Sequence, residues 1–233
     1  MKFIVIDVET AANDKADSYF RNKTIKAPAR WKDEEKIKAR EDEIRIEQRD
    51  KSGLNPWTAR ITVLCAFNGS MATFFGNDEK KILVDFGTYL AREESGESVR
   101  LIGKNSKTFD FPMLIGRYIA HDLGVPNALR TTWEPRDIDE CFGYSSQGIR
   151  GSLNDYAFLM NYDGKLGHGS NAQSMFDATA FDESKWDDLA QYCAQDVMIT
   201  AEFLQRYMKQ FSPETPCDRL IPFTEQHTTE IPF

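Results

Sequence analysis

Three features of this 233-residue sequence predict a mixed α/β domain, a β-sheet with helices packed on it. Short apolar runs rich in β-branched and aromatic residues alternate with longer segments of helical spacing. An Asn-Gly pair separates two of the short runs, which is a hairpin signal. The apolar share, 41% against 28% charged, is enough for one sizeable core.

The first strand is expected over residues 2–8, where Phe3, Ile4, Val5, Ile6 and Val8 make a nearly continuous apolar run. Residues 13–56 read as an insertion. Its stretch KDEEKIKAREDEIRIEQRDK (32–51) favours helix, but only Ile37, Ile44 and Ile46 are large and apolar, so an exposed helix or flap is expected. Gly53 and the NPWT turn at 55–58 end it. RITVLCAF (60–67) and SMATFF (70–75) flank Asn68-Gly69 as two strands of a hairpin. Ile82, Leu83, Phe86 and Leu90 give helical spacing across 78–93, with acids in the first turn. VRLIGKN (99–105) is the next strand, and FPMLIGRYIAHDLG (111–124) the next helix, closed by Gly124. Ser152 and Asp155 cap a helix within 151–160.

The longest helix is expected over 183–211, with Leu189, Cys193, Val197, Ala201, Leu204 and Met208 as its apolar stripe and Pro213 just beyond. Residues 1–211 thus make one domain. Residues 212–233, with Pro213, Pro216, Pro222 and Pro232, read as an extended tail.

A net charge of −8 carries no global basic signature of nucleic-acid binding, although local basic patches can still steer a phosphate backbone. Cys65, Cys141, Cys193 and Cys217 stand far apart and read as reduced thiols. No stretch has the length of a membrane span, and Asp7 and Glu9 interrupt what would be the apolar region of a signal peptide. A cytoplasmic protein with no membrane contact is expected.

The opening run FIVIDVET (3–10) holds a contradiction. Asp7 and Glu9 are two residues apart on a strand, so both project from one face of an otherwise apolar element, where they repel each other. Asp110, between Phe109 and Phe111, and Asp196, beside the stripe of the last helix, repeat the anomaly. Tyr192 shares the helical face of Asp196. Singly, each acid has an ordinary reading as a strand end, a helix cap or a half-exposed helical residue. Together they make sense if divalent cations sit between them.

IDVET, NSKTFD and YCAQD resemble the three motifs of the DEDD superfamily of 3′–5′ exonucleases, which includes the proofreading domains of DNA polymerases. Asp7 and Glu9 match the first motif, Asn105, Phe109 and Asp110 the second, and Tyr192 and Asp196 the third. Position 191 is Gln rather than His, so the resemblance is to the tyrosine branch, and within it to stand-alone bacterial and phage enzymes akin to the family B polymerase proofreading domain. It spans roughly residues 1–211, including the insertion.

The resemblance implies a ribonuclease-H-like fold and hydrolysis of phosphodiesters with two Mg²⁺ or Mn²⁺ ions. Asp7, Glu9, Asp110 and Asp196 would be the metal ligands, and Tyr192 would orient the attacking water. With an ordinary pKa of about 10, Tyr192 is a poor general base at neutral pH. Thr10 and Asn105 would meet the substrate; Lys104 and Lys107 read either as phosphate contacts or as solvated surface lysines, and Phe109 either as a substrate contact or as core packing that fixes Asp110. DNA with single-stranded 3′ ends is the expected partner. An exoribonuclease and a non-catalytic nucleic-acid-binding or recruiting module are the alternatives.

Arg21, Lys23, Lys26, Arg30 and Lys32, interleaved with Tyr19 and Trp31, read either as a single-strand binding stretch or as a solvated flap. The final TTEIPF resembles the C-terminal tip of bacterial single-stranded-DNA-binding proteins, implying recruitment of a replication or repair protein; chance is the competing reading of so short a match. His168 lies in a Gly-rich loop and is left outside the site.

Overall fold

The computed structural model describes residues 2–13, 15–21, 31–130, 137–142, 151–161 and 172–211. The tail at 212–233, its EIPF tip, His168, and Lys23, Lys26 and Arg30 lie outside these residues. The strands are β1 (Lys2–Ala12), β2 (Ala59–Phe67), β3 (Met71–Phe75) and β4 (Val99–Ile102). They form one sheet in the order β3–β2–β1–β4, with β1 antiparallel to β2 and parallel to β4. The helices are α1 (Ala16–Arg21), α2 (Glu34–Ser52), α3 (Glu79–Glu93), α4 (Asp110–Ala120), α5 (Asn127–Arg130), α6 (Leu153–Leu159), α7 (Ala172–Thr179) and α8 (Lys185–Phe211). A 3-10 turn occupies Ile138–Phe142.

Strand alternation divides the core into two layers. Ile4, Ile6, Val8, Ile61, Leu64 and Ala66 pack against Leu83, Phe86 and Leu90 of α3 and Met113 and Leu114 of α4. Val5, Val63, Cys65 and Phe67 point the other way, onto Leu189, Cys193 and Val197 of α8 and Tyr156 of α6. Each fully buried aliphatic side chain here contributes about 1.5–3 kcal/mol, so α8 is held by the stripe read from its sequence. Asp7 and Glu9 share the parity of Val5 and therefore face α8.

β1 runs four residues beyond the expected 2–8. Antiparallel pairing with β2 continues to Ala12↔Ala59 and carries Glu9 to Ala12 along, after a register shift between Glu9 and Thr10. β4 is shorter than expected and pairs with β1 only from Lys2 to Val5. Beyond it, a single parallel bridge joins Gly103 to Asp137.

α4 ends differently from the expectation that Gly124 closes it. Asp122 takes the left-handed conformation (φ 53°), while the Leu123 N–H reaches Tyr118 O at 2.9 Å and the Asp122 N–H reaches Ile119 O at 3.1 Å. That is a Schellman closure with Asp where Gly is usual. Asp110 is the first residue of α4 rather than its cap. The charged helix α2 carries an Asp33 N-cap, and the Thr10 hydroxyl donates to Gly53 O just past its end, tying it to β1. α6 has the expected box, with Ser152 and Asp155 bonded reciprocally. Among the described residues, no helix is long and apolar enough to cross a membrane.

Candidate metal centre

The centre is built where β1 outruns β4. Past Val5 the β4 side of β1 has no strand partner among the described residues, and the chain leaving β4 turns at Asn105. Gly103 makes the turn possible: a Cβ on it would lie 2.8 Å from Ile6 O and 2.9 Å from Ser106 Cβ. Asn105 then adopts φ 59°, a conformation that Asn tolerates better than most residues. Its carbonyl accepts the N–H groups of Thr108 at 3.1 Å and Phe109 at 3.0 Å, starting α4. Asp110, the first residue of that helix, is thereby delivered to the flank of β1, near Asp7 and Val8.

Asp110 is 2% exposed, and its Oδ1 has no hydrogen-bond partner among the described residues. Burial pushes its pKa well above the usual carboxylate range, and the nearby charges of Asp7 and Asp137 push it further. A buried carboxylate oxygen with no donor is the kind of atom a cation satisfies.

On the α8 face, Asp7 and Glu9 lie beside Cys193. The donor atoms of these three residues are all within 4.8 Å of one another, the only such set of His, Cys, Asp and Glu donors among the described residues. The Cys193 thiol donates to the Asp7 backbone carbonyl at 3.4 Å and to Asp7 Oδ2 at 3.5 Å. Burial raises the pKa of this thiol, with Cys65, Asp7 and Glu9 adding to the effect. Cys65 is the β2 partner of Asp7, and its sulfur contacts Ala190 O at 3.8 Å, so α8 is seated directly over this pair. Tyr192 and Asp196 are buried on α8, and the Asp196 carbonyl accepts the Thr200 hydroxyl at 2.9 Å. Neither Asp110 nor Asp196 belongs to the 4.8 Å set.

The expected substrate residues already have partners within the chain. Lys104 Nζ is 2.9 Å from Asp139 Oδ2, and Lys107 pairs with Glu140. The Asn105 side-chain carbonyl accepts from the Thr108 hydroxyl at 2.5 Å. Phe109 is half-buried against the α3–α4 core layer. The 137–142 turn that pairs with both lysines also lies against the motif loop: the Ile138 N–H donates to Gly103 O at 3.0 Å, and Asp137 Oδ1 accepts the Asp139 N–H at 3.0 Å. Burial raises the pKa of Asp137 as well.

Sequence reasoning missed Asp137 and Cys193. Nothing in the spacing marks Asp137, which is placed by a bridge between distant segments. Cys193 had a signal, since it lies three residues before Asp196 on the same helical face.

No family model and no curated protein matches this sequence. Among solved structures, the chain is similar to the family B DNA polymerase from the hyperthermophilic archaeon Pyrobaculum calidifontis, with a TM-score of 0.51 and 15% identity. The fold is ribonuclease-H-like. The match covers 94% of this chain and 26% of the polymerase, so the chain spans about a quarter of that protein's length.

Proposed function

We propose that this chain is a metal-dependent 3′–5′ exonuclease that degrades DNA from single-stranded 3′ ends and releases nucleoside 5′-monophosphates. The observation that carries the reading is the pairing of Asp7 and Glu9 on the central strand, with the buried Asp110 set against Asp7. Likeness in fold to a DNA polymerase supports a nucleic-acid substrate. The order of the three sequence motifs supports the 3′–5′ direction.

In this reading Asp7, Glu9, Asp110 and Asp196 would hold two Mg²⁺ or Mn²⁺ ions. Bound there, such ions supply a water of lowered pKa and stabilise the departing 3′-oxygen. Tyr192 orients the attacking water through its hydroxyl. Asp110 and Asp196 reach the site from α4 and α8, so the two core layers fix their positions relative to β1. The 137–142 turn, bridged to Gly103, backs the Asn105 turn and hence the start of α4. Thr10, Asn105 and Phe109 border the strand's 3′ end. Lys104 and Lys107 contact its phosphates once these displace Asp139 and Glu140.

End-labelled DNA and RNA oligomers, incubated with Mn²⁺ or with EDTA beside Asp7→Ala, test this. A 5′-labelled DNA strand should shorten stepwise, and neither EDTA-treated nor Asp7→Ala protein should degrade it. Preference for RNA would reassign the enzyme as an exoribonuclease. No degradation of either polymer would leave a binding module.

A further inference from the structure

Cys193 is a residue to which the nuclease reading gives no task. A structural cysteine in a core normally touches carbon. This one is fully buried, yet its sulfur meets the oxygens of Asp7 at 3.4 and 3.5 Å and completes a donor set with Glu9. A second sign of a cation comes from Asp110. It is 2% exposed, one of its carboxylate oxygens has no hydrogen-bond partner among the described residues, and the charge of Asp7 opposes its own.

Donor chemistry decides which cation suits the set. Magnesium takes oxygen donors almost exclusively. A cysteine sulfur favours zinc-class ions. Two donors sharing one tetrahedral zinc ion, with Zn–S and Zn–O bonds of about 2.3 and 2.1 Å, stand about 3.6 Å apart. Cys193 Sγ and Asp7 Oδ2 stand 3.5 Å apart.

We propose that Asp7, Glu9 and Cys193 form a thiophilic metal site that takes a zinc-class divalent ion in preference to magnesium. Binding releases the thiol proton to solvent and leaves the sulfur as an anionic ligand. The site shares Asp7 and Glu9 with the proposed nuclease centre but depends on neither its reaction nor its substrate. A zinc-class ion seated there excludes magnesium from those two carboxylates.

The test is light absorption by the full chain, stripped of metal, reduced with a phosphine and titrated with Co²⁺. The expected result is a near-ultraviolet thiolate-to-cobalt charge-transfer band that saturates at a single equivalent and is removed by added Zn²⁺ but not by Mg²⁺. Cys193→Ser and Cys193→Ala should lack the band, with circular dichroism confirming that at least one of them folds. Cys65→Ala and Cys141→Ser should retain it. Zinc affinity of the folded Cys193 variant should drop at least about tenfold. A wild-type protein without the band, or a band that survives loss of Cys193, overturns the proposal. Hydrolysis plays no part in the measurement, so its failure is separable from failure of the nuclease assay.

Discussion

Arg117 donates two parallel hydrogen bonds to Glu79, Nε to Oε1 at 2.8 Å and Nη2 to Oε2 at 2.7 Å. The pair is buried and ties α3 to α4. Glu79 Oε1 also accepts the Ile61 N–H at 2.7 Å, which brings in β2, and Oε2 lies 2.7 Å from His121 Nε2. Losing one partner would leave the other as an uncompensated buried charge. Glu79→Ala should therefore cost about 3–5 kcal/mol, read from urea unfolding. Replacing the pair together, Glu79→Leu with Arg117→Met, should cost much less. A loss below about 1 kcal/mol for the single variant would show that Arg117 reaches solvent without it.

The same group predicts acid sensitivity. Burial by itself would raise the Glu79 pKa, but the hydrogen bonds from Arg117, His121 and the Ile61 N–H outweigh it and hold the carboxyl below its ordinary value. A depressed folded-state pKa gives stability that is complete above the unfolded value of about 4.3 and lost as pH falls through the folded value. The advantage of wild type over Glu79→Gln should thus be constant from pH 7 to about 5 and shrink below about 4. A gap that widens on acidification would reverse the assignment.

Glu79 also shows where sequence reading stops. As an acid in the first turn of a helical pattern, it reads as a partner for the helix dipole, an exposed and minor role. Its burial follows from Arg117, 38 residues away, which no local pattern reveals. The legible parts were local: the stripe of α8, the hairpin at Asn68-Gly69 and the Ser152–Asp155 box each depend on residues a few positions apart. The opening carboxylates were legible for the same reason, since strand alternation alone puts Asp7 and Glu9 on one face. Their neighbours were not. Cys193 reaches Asp7 only because α8 crosses β1, and Lys104 and Lys107 meet Asp139 and Glu140 only because the 137–142 turn returns beside β4. The extra length of β1 came from pairing with β2, a tertiary effect that overrides the end of its apolar run.

Asp110 should show a conflict between stability and function. Its buried carboxylate is opposed by Asp7 and Asp137, and an amide of the same shape would remove that repulsion. Asp110→Asn should stabilise the metal-free protein by about 1 kcal/mol while abolishing the proposed hydrolysis. Manganese at about a hundred times its Kd should stabilise wild type by about 2.7 kcal/mol. The resulting rise in Tm, roughly 5–10 °C for a domain of this size, should largely vanish in the variant. Thermal melts with and without Mn²⁺ give all of these values. An equal metal-induced shift in both proteins would remove Asp110 from the ligand set.

Gly103 links the turn after β4 to the position of Asp110. An added methyl would come within 2.8 Å of the Ile6 carbonyl, a backbone atom of the central strand that cannot swing aside, and within 2.9 Å of Ser106 Cβ. The chain must move at residue 103, which shifts the Asn105 turn and the first residue of α4 away from β1. Gly103→Ala should therefore cost about 1–3 kcal/mol. Held well below its melting temperature, so that global unfolding does not contribute, it should also weaken Mn²⁺ binding by at least about tenfold. Gly124→Ala is the matched control, because nothing lies within 4 Å of its added carbon, and it should stay within about 0.5 kcal/mol of wild type. If Gly103→Ala is destabilised yet binds Mn²⁺ as wild type does, the loop does not set the position of Asp110. Asp110 must then be held by the packing of α4 in the core layer that it shares with Ile4 and Ile6.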